Sequence, residues 1–565
     1  MYNIIFVLLR RLRIPLIVLI CVYAISIIGF VLIPGLDDNG HPWRMDFFHS
    51  FYFVSFMGST IGFGEIPYPF TDMQRMWTIV TIYGTVISWL YGIGASFSII
   101  QDPAFRSLIK ATSFRRKVIR ITEPFYLVCG YGETGSYLVK ALADTGIRSV
   151  VVDSDENNIN TLELQDHGFN VPGMCADATD PDILIMAGLT AKNCIGVAAL
   201  TGSDQVNLLI AISSNLLGSH LRTIARAQTQ EGGINIASLG DVDVINAFET
   251  FAGRLVLALH APDKFLLLEW LTGVPHERLR EPISPPPVGT WILCGYGRFG
   301  KAVYQRLTRE GLKVQVIEAD KDETKPPVGT VEGAGTDADT LLKAGISEAV
   351  GIVAGTDNDA NNLSIIITAL AINPDLFSIA RQLKRSNHQL FKAANIDLIM
   401  QRGSVIAHKV FALITTPLLS EFLKEVENQN NRWANVLVSR IASVINDESP
   451  ETWVLAITPA AAPAVYKLVA GDESVRLGDI LRNPYLRDEL LPCVALFMER
   501  SPNNILVPTD DTIIKPGDRI LFCGRSLAEI GMQWTVYSSD ILHYVLTGEE
   551  HPSSLLGRLL KVLRN

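Results

Sequence analysis

Two stretches of this 565-residue chain place glycines where a backbone could meet a phosphate. Phe125 to Gly135 reads Phe-Tyr-Leu-Val-Cys-Gly-Tyr-Gly-Glu-Thr-Gly, and Trp291 to Gly300 reads Trp-Ile-Leu-Cys-Gly-Tyr-Gly-Arg-Phe-Gly. Each is an apolar strand pattern running into G-x-G-x-x-G and then into a helix pattern. A second apolar strand ends in an acid about 23 residues after the first glycine: Asp153 after Val150-Val151-Val152, and Glu318 after Val316-Ile317. The glycines let the backbone approach a pyrophosphate, which rests on the N-terminus of the following helix. The acid accepts hydrogen bonds from ribose hydroxyls and repels the extra phosphate of NADP. G-x-G-x-x-G alone is a weak signal, whereas the whole succession at this spacing, present twice, is a strong one. The candidate nucleotide-binding residues are Gly130, Tyr131, Gly132, Glu133, Thr134, Gly135 and Asp153 in the first copy, and Gly295, Gly297, Arg298, Phe299, Gly300 and Glu318 in the second.

The copies continue in parallel. A third strand leads to Ala176-Asp177-Ala178-Thr179 and to Gly335-Thr336-Asp337, and a fourth to Ala199-Leu200-Thr201-Gly202-Ser203-Asp204 and to Val353-Ala354-Gly355-Thr356-Asp357. A fifth gives Ile224-Ala225-Arg226-Ala227 and Ile379-Ala380-Arg381-Gln382. The β-α-β-α order with short connections predicts a parallel Rossmann-like sheet wrapped by helices, with ligands at the strand C-terminal ends. That adds Asp177, Ala178, Thr201 and Arg226 to the first pocket and Asp337 and Arg381 to the second. Asp177, Asp204, Asp337 and Asp357 are open to three roles: helix caps, contacts to adenine or ribose, or ligands of a divalent cation. Arg226 and Arg381 fit either structural ion pairs or phosphate contacts. Lys321-Asp-Glu-Thr-Lys-Pro-Pro compresses the segment after Glu318, so the second pocket departs from the first.

A third stretch, Thr60-Ile61-Gly62-Phe63-Gly64-Glu65, has glycines at alternate positions, which admit conformations that a side chain forbids. It resembles the selectivity-filter signature of potassium channels, with Ile61, Phe63 and Glu65 where that signature has Val, Tyr and Asp. The resemblance implies inward backbone carbonyls that replace the water around K+, with the Thr60 hydroxyl at the inner end. One chain supplies a quarter of such a ring, so it also implies a homotetramer. Phe63 lacks the phenol hydroxyl that can brace a filter from behind. Glu65 fits either a ring of four carboxylates at the outer mouth or a hydrogen bond behind the filter.

The flanks of this stretch are apolar. Ile14–Ile33 and Trp77–Ile100 are each long enough to cross a hydrocarbon core about 30 Å thick, while the aromatic run 46–59 is too short and suits a re-entrant pore helix. Arg10, Arg11 and Arg13 precede the first span, and Lys110, Arg115, Arg116, Lys117 and Arg120 follow the second, which places both termini in the cytoplasm. Gly84 fits either a gating hinge or a close helix contact. Asp102 fits either a charge that concentrates cations or the start of a turn at Asp102-Pro103.

A net charge of −10 argues against nucleic-acid partners. Seven cysteines without a C-x-x-C pair indicate neither zinc nor a disulfide framework, and Cys129 and Cys294 read as buried strand residues. The paired repeats resemble RCK domains, which regulate potassium conductance and are related to the Trk-type uptake regulators. The expected fold class is multidomain: a two-transmembrane-helix pore domain with a re-entrant loop (1–105), a linker (106–123), a first RCK domain with docking helices (124–271), and a Pro-rich linker (272–288). A second RCK domain with a crossover helix (289–430), a small α+β C-terminal lobe (450–540) and a tail (541–565), with an amphipathic helix over Leu555–Leu563, complete it. The first copy lacks the small lobe that the full two-lobed plan carries.

The resemblance implies a plasma-membrane potassium channel, not an enzyme. Eight RCK domains of four subunits would form a ring gated by NAD, by an ADP- or ATP-type nucleotide, or by a divalent cation such as Ca2+. Two other readings stand beside it. A membrane-tethered NAD-dependent oxidoreductase needs a general acid or base beside the nicotinamide, and no His or Lys is positioned by motif for that. A regulatory subunit of a separate potassium transporter would not need a filter of its own.

Overall fold

The structure, a computed structural model, describes residues 4–549 except Ser219, Asp241, Val274, His276, Glu277, Arg280, Pro285 and Pro287. The tail helix expected over Leu555–Leu563 lies outside the described residues. The chain divides between Lys117 and Val118 into two compact units.

In the first unit, Leu12–Leu32 and Asp72–Gln101 are long and apolar enough to cross a membrane. The second helix starts before the expected Trp77 because Thr71 and Gln74 form a capping box: Gln74 N–H donates to Thr71 Oγ1 at 3.4 Å and Thr71 N–H to Gln74 Oε1 at 3.1 Å. Between the two helices lie a short antiparallel pair, β1 (Pro34–Leu36) and β2 (Pro42–Arg44), and the helix Phe47–Gly58, which Asp46 caps by accepting from His49 N–H at 2.7 Å. Phe30, Phe53, Phe56 and Phe70 bury one another in a cluster at this end of the unit. Within the expected linker 106–123 the chain is helical as far as Ile119, in the helix Pro103–Ile119. Pro103 suits the first helical position, where no N–H is needed, and Arg116 and Lys117 complement the dipole in the last turn.

The second unit holds two six-stranded parallel sheets. The first has order β5-β4-β3-β6-β7-β8, built from β3 (Phe125–Cys129), β4 (Arg148–Asp153), β5 (Gly173–Cys175), β6 (Cys194–Ala199), β7 (Arg222–Ala227) and β8 (Val242–Asn246). The second has order β11-β10-β9-β12-β13-β14, from β9 (Thr290–Cys294), β10 (Lys313–Glu318), β11 (Val331–Glu332), β12 (Gly351–Ala354), β13 (Phe377–Gln382) and β14 (Leu398–Gln401). In both, the strand order reverses beside the strand that leads into the glycines, which opens a crevice at its C-terminal end.

After β8 the helix Ala247–His260 leaves its own repeat: Phe248, Phe251 and Leu255 pack with Phe299, Val303 and Leu307 of the second. After β14 the helix Arg402–Thr415 does the reverse, with Ile406, Val410 and Phe411 packing against Leu138, Val139 and Leu142 of the first. Each crossover breaks at one residue before a proline, Ala261 ahead of Pro262–Thr272 and Thr416 ahead of Pro417–Glu427, because proline cannot donate back into the helix. The second pair bends by 117°. It is a core element and not a membrane span, since Leu418, Leu419 and Phe422 are buried with Leu266, Leu267 and Trp270. The small lobe, β15 (Glu451–Ala456), β16 (Cys493–Glu499), β17 (Ile505–Leu506) and β18 (Arg519–Gly524), is antiparallel with order β15-β18-β16-β17.

The swap has a measurable consequence. Phe251→Ala, in a helix that belongs by sequence to the first repeat, removes a buried ring worth about 3–5 kcal/mol. Hydrogen exchange of the purified chain should quicken in β9 and β12 of the second repeat and remain slow in β3 and β4.

Candidate functional site

In the first unit the backbone of the filter-like stretch alternates in hand. Thr60, Gly62 and Gly64 have φ of 64°, 68° and 97°, and Ile61 and Phe63 between them are not left-handed. Alternation of this kind lets successive carbonyls face one side, the arrangement a dehydrated cation requires. Phe63 sets its ring edge-on to Phe56, with centroids 5.4 Å apart. Glu65 does not project freely: its oxygens accept from Phe70 N–H at 2.7 Å and from Arg75 Nε and Nη2 at 2.9 and 3.2 Å. Glu65 thus ties the end of this stretch to the start of the second long helix. A Cβ added to Gly84 would stand 3.3 Å from Val22, so Gly84 sits at a close contact between the two long helices. Asp102 ends its helix in an extended conformation.

In the second unit a cavity of about 910 Å³ opens at the end of β3. Gly130, Gly132, Glu133, Thr134, Asp153, Asp177, Ala178, Thr201 and Arg226 line it. The glycines have separate tasks. Gly130 has φ 101°, and a Cβ there would stand 2.9 Å from Thr201 N. A Cβ on Gly135 would stand 1.9 Å from the Gly130 carbonyl, so the third glycine lets helix and strand close. Gly132 caps the helix Glu133–Asp144 with no side-chain bond, and nothing lies within 4 Å of its would-be Cβ. That leaves helix N–H groups facing open space, which suits an anion. Tyr131 contributes backbone only; its ring is buried and its hydroxyl donates to Gln165 Oε1 at 2.9 Å.

Asp153 is buried and fixed. It accepts from Tyr131 N–H at 2.5 Å, Asp155 N–H at 2.7 Å and Asn158 Nδ2 at 3.2 Å, and a carboxylate has lone pairs beyond these. Asp177 accepts from Thr179 N–H at 2.9 Å and Thr179 Oγ1 at 2.8 Å, which together hold its carboxyl below the usual range. It closes a local turn, while Asp180 caps the next helix. Cys129 and Cys294 are fully buried, and burial pushes each thiol up to about 12, so neither offers a thiolate at neutral pH.

The residues expected to make a second pocket divide. Glu318 repeats Asp153, accepting from Tyr296 N–H and from Asp320 N–H. Gly295 and Gly300 repeat Gly130 and Gly135. Asp337 caps the helix Ala338–Lys343 through Thr340 N–H at 2.8 Å. Phe299 is buried edge-on to Phe251 at 4.7 Å. Arg298 and Arg381, however, line the cavity of the first repeat, and Arg298 Nη1 donates to Gln228 Oε1 across the two repeats at 2.9 Å. Arg381 is 4% exposed and pairs with Asp357 at 2.6 Å; burial pushes its guanidinium down and Asp357 opposes this.

Three scaffold residues, Asn207, Asn362 and Asp359, carry no expectation from the sequence, and Asp204 takes none of the three roles open to it alone. Asn207 accepts from Thr201 N–H at 3.0 Å and donates to Arg226 O at 2.8 Å, and Asn362 does the same with Thr356 and Arg381 at 2.9 and 2.8 Å. Asp204 accepts from Gln228 N–H and Thr229 N–H, and Asp359 from Leu383 N–H and Lys384 N–H. The signal was available as T-x-[SN]-D-x-x-N in both copies. Asp359, not Asp357, is thus the counterpart of Asp204, and Asp357 is the counterpart of Gly202.

Comparison with known proteins assigns these regions to families. The ion channel family matches residues 17–102, and the TrkA-N domain matches residues 126–247 and 291–402. The chain is 27% identical over 183 residues to potassium channel protein 1 of Methanocaldococcus jannaschii, covering 32% of this chain and 53% of that one. It is 23% identical over 224 residues to the voltage-gated potassium channel Kch of Escherichia coli, covering 39% and 51%. The chain spans about half the length of these two relatives. A solved structure of the GsuK channel is 17% identical, with a TM-score of 0.47, and covers 94% of this chain and 99% of that one.

Asn207 and Asn362 each satisfy buried backbone groups at a strand tip. Asn207→Ala or Asn362→Ala should cost about 1–3 kcal/mol, read as a lower thermal unfolding temperature of the purified chain. Equal stability would show that the strand tips hold without them.

Proposed function

Because the chain carries an ion-channel domain followed by two TrkA-N domains, we propose that it forms a potassium-selective channel controlled by an adenine nucleotide in the first repeat. The observation that carries this reading is the alternating hand of Thr60, Gly62 and Gly64, placed between two helices that are long enough to span a membrane. Four copies close the ring of carbonyls, and their eight TrkA-N domains form the regulatory assembly. The basic residues flanking the spans place both termini on the cytoplasmic side of the plasma membrane. The ligand is a regulator and not a substrate. The nucleotide is the proposed signal because Asp153 and the open N-terminus of the helix Glu133–Asp144 line one cavity. Asp153 favours a free ribose over a phosphorylated one, which points to NAD, ADP or ATP.

Two measurements test the reading. Purified protein in planar bilayers should give a reversal potential that follows the potassium gradient, and equal sodium permeability would overturn the pore assignment. Gly132→Asp sets a carboxylate at the open helix N-terminus, where like charges cost several kcal/mol. It should abolish the effect of added ADP or NAD on open probability and leave the unitary conductance as it was.

A further inference from the structure

The two repeats share the strand, glycine and helix scaffold but differ at a position beside the helix N-terminus that would seat a phosphate. Thr201-Gly202-Ser203-Asp204 and Thr356-Asp357-Asn358-Asp359 are anchored by the same bonds, from Asn207 and Asn362 to the strand tips and from Asp204 and Asp359 to the segments that follow β7 and β13. Where the first repeat has Gly202, the second has Asp357. Its Oδ1 meets Arg381 Nη1 at 2.6 Å in the wall of the cavity that the first repeat's glycines also line, and its Oδ2 lies 4.0 Å from where a Cβ on Gly297 would stand. Gly297 caps the helix Arg298–Arg309 with no side-chain bond, so the carboxylate stands at the helix N-terminus that would seat a pyrophosphate. Arg381 is held in place, with Phe299 at 5.1 Å and Phe248 at 5.9 Å from its guanidinium and Gly355 O and Thr356 O at 3.5 and 3.4 Å. The corresponding space above Gly132 in the first repeat is open.

We propose that Asp357 closes the second repeat to nucleotides by standing in for a phosphate on Arg381, so that each chain takes up one nucleotide, in the first repeat. This rests on the nucleotide-binding reading above. The second repeat keeps the glycines, the helix and the acid Glu318 as scaffold, and its ligand is part of its own chain. A nucleotide entering there would have to break a short ion pair with a buried arginine and bring its phosphates against the displaced carboxylate.

The test is the stoichiometry of radiolabelled ADP and of NAD bound to the purified full-length chain in detergent. One nucleotide per chain is expected for the natural sequence. Asp357→Gly, which gives the second repeat the residue of the first, should raise it to two, and a thermal unfolding transition like that of the natural chain reports that this variant is folded. Gly202→Asp, which gives the first repeat the residue of the second, should lower it to none. Two nucleotides on the natural chain, one on the Asp357→Gly variant, or undiminished binding to the Gly202→Asp variant would overturn the role of Asp357. No binding to the natural chain would instead overturn the nucleotide reading beneath it.

Discussion

The exchange of crossover helices between the repeats is the constraint on which the second unit depends. Phe251 and Leu255 of one crossover and Val410 of the other are buried to within a few per cent of complete, and each large apolar side chain so buried contributes about 1.5–3 kcal/mol. Neither repeat keeps its own crossover, so neither has a complete apolar core without the other. The exchange also turns the two switch-point crevices toward a shared space. That is why Arg298, Arg381 and Leu383 of the second repeat line a cavity whose glycines belong to the first. A ligand in that cavity touches both repeats, and its affinity then depends on the angle between them. This is the condition under which binding can shift a conformational equilibrium at all.

The filter-like loop carries a different constraint, which is strain. Thr60 has a branched Cβ and a φ of 64°, a conformation that costs about 1–3 kcal/mol and persists only where the surroundings enforce it. The surroundings here are aromatic and ionic. Phe63 packs edge-on to Phe56, inside a cluster with Phe53, Phe70 and Phe30. Glu65 ties the end of the loop to Phe70 N–H and, by a forked bond, to Arg75 at the start of the second long helix. After that helix, Pro103–Ile119 continues the chain as a second helix.

Local features were legible in the sequence and relations between distant segments were not. Five strands of each parallel sheet and the glycine roles follow from spacing within a few dozen residues, whereas the sixth strands, β8 and β14, do not; Asp153, Thr201 and Arg226 meet in the cavity as that spacing requires. Arg298 and Arg381 were placed in a pocket of their own because nothing local tells a helix after β8 to pack on residues some fifty positions later. Asp204 and Asp357 both follow a threonine closely, and the buried Asn207 and Asn362 fix the register in which Asp359 is the counterpart of Asp204. Helix ends failed where caps decide them. Thr71 with Gln74 extends the second span upstream, and Pro103 restarts a helix one residue after the last one ends.

The comparison of the repeats separates what a fold needs from what a ligand needs. The first and third glycines, the buried asparagine and the stitched aspartate appear in both copies with matching distances, so they serve the strand–turn–helix geometry whether or not anything binds. Gly202 against Asp357 alters none of those bonds. It changes only the charge and volume of the space between a helix N-terminus and an arginine. An open helix end and a buried cation form a site that an anion must fill, and the second repeat fills it with a carboxylate from its own backbone neighbourhood. The Rossmann motif therefore reports a scaffold. Occupancy is decided by the residue three positions past the fourth strand's end in each repeat, which the motif does not include.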